Sequence, residues 1–316
     1  MSRLAFILAV SFGSLAAGYL LRNLGWVRES LLMRASGYAK IACLVFLLPI
    51  PVLISFWRLA GAPPQLAVFP LLGVLSIAVG AAGSLACIRL FRLPPARAGA
   101  LLCCGMFSNL GLFGSLISLV LFGVPGYTMA QLFAMFEALI YFGVGFPLAQ
   151  QLGAGAPGLR LDWRALRRNK PAFAPLAAVL LGGSLNLAGA PCPALLDGAI
   201  GFLVPFITGT LGLAIGVTVR LARVRDYLPE VGMVMAVKFA LIPAVLLPLG
   251  LLLGLHQTMD GTPFKTLVVL SCMPSAFLAL VPPVLYGLDL DLANSGWLAS
   301  TLALLAILPL LFLLVA

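Results

Sequence analysis

Ten apolar stretches of 19 to 28 residues constrain the fold of this chain more than any other feature. A helix needs about 20 apolar residues to cross the hydrocarbon core of a bilayer. Hydrophobic residues make up 62% of the chain and charged residues only 9%, whereas soluble domains carry roughly 25% charged residues. We therefore predict an all-α integral membrane protein. The predicted spans are residues 3–21, 38–57, 66–90, 98–122, 126–150, 171–189, 194–219, 228–255, 264–286 and 291–315.

The arrangement of these spans excludes several classes of protein. Little sequence lies outside them, so there is no room for an ATPase or a soluble catalytic domain. Apolar runs of this length also exclude an outer-membrane barrel, whose strands are about ten residues long and alternate in polarity. The first span has no small-residue cleavage site and reads as a retained helix. Since His256 is the single histidine and Asp-rich motifs are missing, we expect no enzymatic activity, no cofactor and no metal.

The net charge of +10 is distributed unevenly between the two sides of the ten-span arrangement. One side has Arg3, Arg58 and Lys265, and the other has fifteen Lys and Arg residues. Because Lys and Arg accumulate in cytoplasmic loops, the crowded side is predicted to be cytoplasmic, with both termini outside. The charge indicates topology and contact with lipid headgroups rather than nucleic-acid binding. The short loops and the composition are typical of a bacterial inner-membrane protein.

A polar connection divides the chain into two halves of five spans each. We place the first repeat at 1–151, a basic cytoplasmic linker at 152–170, and the second repeat at 171–316. An odd number of spans per half inverts the second half relative to the first, which is the inverted-repeat topology of many transporters.

Spans 4 and 9 correspond under this repeat, and each contains an interruption. Residues 104–114 of span 4 read CGMFSNLGLFG, and residues 271–276 of span 9 read SCMPSA. Glycine and proline at this depth free backbone polar groups that lipid cannot satisfy, so such breaks persist where they line a protein cavity. Paired breaks in two repeats indicate a transporter's substrate site. The alternative is that these residues simply allow close helix packing.

If both helices unwind and cross, their half-helix ends converge near mid-membrane. Exposed N–H groups at helix N-termini bind anions without needing a cationic side chain. The amide and hydroxyl side chains in the breaks could add donors. The predicted substrate-binding residues are Ser108, Asn109, Gly111, Gly114, Pro274 and Ser275.

Charged residues inside a membrane span are costly and are functional candidates. Glu137 in span 5 could carry a proton or bind a coupling cation, or it could be a structural acid paired with Lys238. Lys238 in span 8 could pair with Glu137, attract an anion or extend to the cytoplasmic surface. Asp289 and Asp291 are expected to cap span 10 rather than bind substrate. Lys40 is expected to be a headgroup anchor, with lining of the cytoplasmic entrance as the alternative.

Several short motifs lie along the spans. They are Gly18-Tyr19-Leu20-Leu21-Arg22, Leu48-Pro49, Asn109-x-Gly111-x-x-Gly114, Pro205 with Gly212 and Gly216, Lys238 with Pro243, Met273-Pro274, Tyr286-Gly287-Leu288-Asp289, and Ser300-Thr301 with Pro309. In these motifs the chain resembles the auxin efflux carrier family of membrane transporters. Two positions depart from the family pattern, because Ser115 replaces a usual proline and an asparagine near the start of span 2 is absent.

The resemblance implies a ten-helix carrier with a scaffold domain and a transport domain in which spans 4 and 9 cross. Such carriers move small organic anions, and their fold is related to that of bile-acid/sodium symporters. We therefore expect a secondary carrier of mono- or dicarboxylates that works by alternating access, coupled to H⁺, to Na⁺ or to no ion. The alternative is a cation-coupled antiporter or channel-like protein of the same fold. Membrane lipids are expected partners, and a homodimer is left open.

Overall fold

A computed structural model describes residues 2–25, 27–59, 64–155, 173–219 and 224–315. This part of the chain is helical and contains no β-strand apart from an isolated bridge. Most of the predicted linker 152–170 lies outside the described residues. The helices of ten or more residues are α1 (Arg3–Asn23), α2 (Glu29–Trp57), α3 (Phe69–Leu90), α4 (Pro95–Met106), α5 (Leu110–Gly153), α6 (Ala174–Leu187), α7 (Ala199–Thr218), α8 (Val224–Leu252), α9 (Thr262–Ser271), α10 (Phe277–Tyr286) and α11 (Leu290–Val315).

Seven helices of the described chain are long and apolar enough to cross a membrane. Large apolar side chains lie exposed on the outer faces of the helices, as with Leu187, Leu252 and Leu313, which are 75% or more exposed. Such surfaces are unfavourable in water and normal against lipid. The membrane-helical class predicted from the sequence is therefore confirmed.

Helix α5 contains a reversal that separates predicted spans 4 and 5. Gly123 has φ 69° and ψ −157°, a conformation that is essentially restricted to glycine. The Gln131 Nε2 group donates to Ser115 Oγ at 2.7 Å. A straight helix would hold residues 16 apart at a distance of about 24 Å. The chain therefore turns back on itself at Gly123, and the two limbs pack side by side.

Small residues allow α1 to approach α7 closely. A Cβ atom on Gly18 would overlap the Leu213 carbonyl oxygen, and one on Gly216 would overlap the Leu15 carbonyl oxygen. Membrane helices use such residues because van der Waals contact between backbones replaces the hydrophobic driving force. Helix α2 packs on the same helix, where Ser36 Oγ donates to the Ala214 carbonyl at 2.7 Å. Helices α1, α2 and α7 therefore form one packed group.

Polar side chains at the helix ends cluster in sets that agree with the predicted sides of the membrane. Arg97, near the start of α4, pairs with Glu230, near the start of α8, at 2.7 Å. The sequence predicts both of these helix ends on the basic side. Arg58 pairs with Asp197 at 2.6 Å on the opposite side. Which side is cytoplasmic, and the five-plus-five inverted repeat, stay predictions.

Candidate functional site

Two interruptions define the centre of the candidate site. The first, residues 107–109, separates α4 from α5, and the second, residues 272–276, separates α9 from α10. At the edges of these breaks Phe107 and Ala276 have extended backbone, with ψ angles of 121° and 149°. Both breaks lie where the sequence predicts them.

The two breaks meet and satisfy each other's backbone groups. Ser108 and Ser275 form an isolated antiparallel bridge. The Asn109 N–H donates to the Pro274 carbonyl at 2.8 Å, and the Ala276 N–H donates to the Phe107 carbonyl at 2.9 Å. Irregular backbone inside a membrane protein needs such partners, because lipid provides none. We call this pairing the crossing bridge.

Side chains hold the crossing bridge in place from both halves of the chain. Ser275 is fully buried, and its hydroxyl donates to the Cys104 carbonyl near the end of α4 at 2.7 Å. The Ser275 N–H donates to Ser300 Oγ at 3.2 Å, and the Ser108 N–H donates to the Tyr141 hydroxyl at 2.8 Å. Pro274 and Ser275 therefore have structural contacts within the bridge.

Ser115 stands where the resembling family usually has proline, and the structure shows what it contributes. Residues Leu110–Gly114 form a π-helical turn, in which the Gly114 N–H donates to the Asn109 carbonyl at 3.2 Å. The Ser115 hydroxyl donates to the Leu110 carbonyl at 3.0 Å. The start of α5 is therefore stabilised by a side-chain hydrogen bond. Gly114 packs beside Leu270 rather than in the cavity described below.

Lys238 lies directly against the crossing bridge. Its side chain is 0% exposed, and Nζ donates to Ser108 Oγ at 2.8 Å. The alternative that this lysine extends to the cytoplasmic surface is therefore wrong, because the ammonium group is enclosed by protein. Lys238 and Glu137 do not form an ion pair within 4.0 Å among the described residues.

Tyr141 contacts the crossing bridge and lies one helical turn after Glu137. Its hydroxyl accepts from the Ser108 N–H at 2.8 Å. Its ring stacks on Phe107, with centroids 4.0 Å apart. Hydrogen bonds therefore run from Lys238 to Ser108 and from Ser108 to Tyr141, which lies one helical turn from Glu137.

A cavity of about 240 Å³ opens beside the crossing bridge. The predicted site residues on its wall are Ser108, Asn109, Gly111 and Glu137. Asn109 is 6% exposed, and its Oδ1 accepts from the Leu112 N–H at 3.3 Å. Its Nδ2 group has no hydrogen-bond partner in the described structure. An unpaired buried donor is costly unless a ligand or water accepts from it. The other lining residues are Lys40, Leu44, Leu48, Leu112, Ala138, Tyr141, Leu211, Ile215, Ala276, Phe277 and Leu278.

Lys40, which the sequence predicts to be a headgroup anchor, lines this cavity. Its Nζ donates to Thr218 Oγ1 at 3.1 Å and lies 4.8 Å from the centroid of the Phe277 ring. Its position inside predicted span 38–57 indicates such a role, because a charged residue within a membrane span is costly and is a functional candidate.

A second cavity, of about 100 Å³, adjoins the first. Glu137 and Gly111 line both cavities, and the smaller one adds Ser115 and Gln131. Glu137 therefore lies on the wall of both cavities, and Ser115 and Gln131 are further polar side chains of the smaller one.

Of the two acidic residues at the start of α11, Asp289 caps the helix. Asp289 Oδ1 accepts from the Leu292 N–H at 2.9 Å, which confirms the predicted N-cap at this residue. The Asp289 carboxylate also lies 3.5 Å from the Arg97 guanidinium. Asp291 contributes its backbone carbonyl, which accepts from the Ser295 hydroxyl at 2.7 Å.

Comparison with known proteins supports a transporter class. No protein-family model matches the chain. An uncharacterized transporter of Methanothermobacter thermautotrophicus is 27% identical over 206 residues, which are 64% of this chain and 63% of the relative. The chain thus spans less than two thirds of that relative's length. Together with the helices described above, this similarity indicates an integral membrane protein related to transporters.

Proposed function

We propose that the protein is a secondary carrier of small organic anions that works by alternating access around the crossing bridge. The observation that carries the proposal is the cavity beside the two paired breaks, with the Asn109 Nδ2 donor and the Lys40 ammonium on its wall. The similarity to a named transporter and the motif resemblance to the auxin efflux carrier family support the same class.

The charges around the cavity favour an anion. The N-terminal end of α5 supplies Gly111 and Leu112 to the wall, and a helix N-terminus carries a partial positive charge. Lys40 adds a basic side chain to the wall of the same cavity. The remaining lining is largely aliphatic, which suits an organic anion with an apolar body better than a bare inorganic ion.

Glu137 points to proton coupling within this proposal. A carboxylate on the wall of an anion site repels the substrate when ionised and accommodates it when protonated. Lys238 places a basic group beside the helix ends at the bridge, where a coupling metal cation would otherwise be needed. We therefore favour H⁺ over Na⁺ as the coupling ion.

A cation-coupled antiporter or channel-like protein is the second candidate, because Glu137 lines both cavities. Two lysines near the same site argue against it, since they would repel a cation. The ten-span inverted repeat, the bacterial inner membrane and the outward termini form part of the leading proposal.

Transport by purified protein in liposomes tests the proposal. Radiolabelled malonate, lactate and indole acetate would be offered under an imposed proton or sodium gradient. We expect uptake of at least one anion, driven by the proton gradient. The carrier proposal is wrong if none of these anions moves or binds and a monovalent cation is transported instead.

The Asn109→Ala variant tests the position of the site. Loss of a hydrogen bond to a charged group costs about 1.5–3 kcal/mol, which corresponds to about 10- to 150-fold weaker binding. Asn186→Ala is the matched control, because that amide donates to the Trp57 carbonyl at the other end of the helices. Wild-type affinity in Asn109→Ala would move the site elsewhere.

A further inference from the structure

Two basic residues that are distant in the sequence converge on a third cavity, of about 200 Å³. Arg3 begins α1, and Lys265 lies in the first turn of α9. They are two of the three basic residues predicted on the sparsely charged side of the membrane, and both line this cavity. Such convergence needs an explanation, because like charges in one cavity repel each other.

Neither cation pairs with a carboxylate of the described residues. Within the described residues, Arg3 and Lys265 form no ion pair at 4.0 Å or less. Arg3 makes one long hydrogen bond, from Nη1 to the Leu121 carbonyl at 3.5 Å. Asp260 lines the same cavity, and it also lacks an ion pair within this distance. Among the described residues, the cavity therefore presents two positive groups and one negative group that form no ion pair.

Apart from Thr262, the rest of the wall is apolar, and it lies next to exposed apolar surface. Phe122, Phe312 and Val315 line the cavity beside these charges. Leu313 and Leu314, which follow Phe312 on α11, are 78% and 75% exposed. An amphipathic ligand with a charged head and apolar tails fits these adjacent charged and apolar surfaces better than a soluble ion does.

From this arrangement, we infer that the cavity of Arg3, Asp260 and Lys265 binds the headgroup of a membrane phospholipid that carries both a phosphate and a primary amine. Arg3 and Lys265 would donate to the phosphate oxygens, for which guanidinium and ammonium groups are well suited. Asp260 would accept from the amine. The Thr262 hydroxyl at the start of α9 also lines the cavity and can donate to the phosphate.

The site lies between helices that are expected to move relative to each other in a carrier. The cavity joins the start of α1, the first limb of α5, the start of α9 and the end of α11. A lipid bound there would bridge α1 to α9, whose other end leads to the crossing bridge. Binding is testable without any transport substrate, so failure of this inference is distinguishable from failure of the proposed function.

Lipid binding to the full chain in detergent can be measured by native mass spectrometry. The probes are phosphatidylethanolamine, phosphatidylglycerol, which has a phosphate without an amine, and inorganic phosphate. We expect phosphatidylethanolamine to bind best, and Arg3→Gln and Lys265→Gln each to weaken its binding about tenfold. Arg58→Gln is the matched control, since Arg58 is the third basic residue of that side and lies on a different cluster. Unchanged lipid binding in both variants would overturn the inference.

Asp260→Asn tests recognition of the amine separately. This variant should lose the preference for phosphatidylethanolamine over phosphatidylglycerol while it still binds phosphate-bearing lipids. An unchanged preference would refute the assigned role of Asp260. Inorganic phosphate that displaces the lipid at millimolar concentration would show a free-anion site instead. If Arg3→Gln fails to fold, the charge-conserving Arg3→Lys together with Lys265→Gln keeps the comparison possible.

Discussion

The hydrogen bond between Lys238 and Ser108 allows a quantitative test of how the crossing bridge is held. The Lys238 side chain is 0% exposed and Ser108 is 7% exposed, with Nζ and Oγ 2.8 Å apart. A hydrogen bond that involves a charged group contributes about 1.5–3 kcal/mol. Hydrogen bonds between membrane helices without such charges average about 0.6 kcal/mol. The size of the coupling therefore reports whether Lys238 is charged in the folded protein.

A double-mutant cycle measures this coupling. Ser108→Ala leaves the ammonium group buried without its acceptor and should lower the free energy of unfolding by about 1.5–3 kcal/mol. Lys238→Met replaces the charge by an apolar side chain of similar length, and such replacements are often close to neutral. The double variant should then be no less stable than Lys238→Met alone. We also expect Lys238→Met to fold and to lose transport.

The free energies would be measured by titration with sodium dodecyl sulfate in mixed micelles. Ser55→Ala is the matched control, because the Ser55 hydroxyl is 1% exposed and donates to the Val52 carbonyl at 2.8 Å in its own helix. Its effect should add to that of Lys238→Met within about 0.5 kcal/mol. If the effects of Ser108→Ala and Lys238→Met also add within this limit, Lys238 does not depend on Ser108 and the reasoning fails.

Two further predictions concern glycines that shape the fold. Gly18→Ala should lower stability by about 1–3 kcal/mol, because the new Cβ would overlap the Leu213 carbonyl oxygen. Gly201→Ala meets open space and should be neutral or stabilising by up to about 1 kcal/mol. Thermal unfolding distinguishes them, and equal unfolding temperatures would contradict the close approach of α1 and α7. Gly123→Ala should cost about 1–3 kcal/mol because of its φ of 69°, and an unchanged unfolding temperature in that variant would argue against the reversal within α5.

The sequence predicts those features that depend on local composition. Long apolar runs predict membrane helices, because the thickness of the bilayer sets the length that a helix needs. Glycine and proline patterns locate the breaks at residues 107–109 and 272–276, since these residues disturb helices wherever they occur. The N-cap at Asp289 also depends only on local sequence, because its carboxylate accepts from the N–H of Leu292, three residues later.

Only the tertiary structure decides which distant groups meet. Ser108 and Lys238 are 130 residues apart, yet their contact shows that Lys238 is enclosed instead of extending to the surface. Lys40 lies near a helix end in the sequence but lines the central cavity, because α2 packs against α7 and places it over Phe277. Apolar periodicity carries no information on such partners, since many packings of the same helices would bury similar surfaces. The apolar runs therefore determined that this chain is a membrane protein, and the packing determined which of its polar groups form a site.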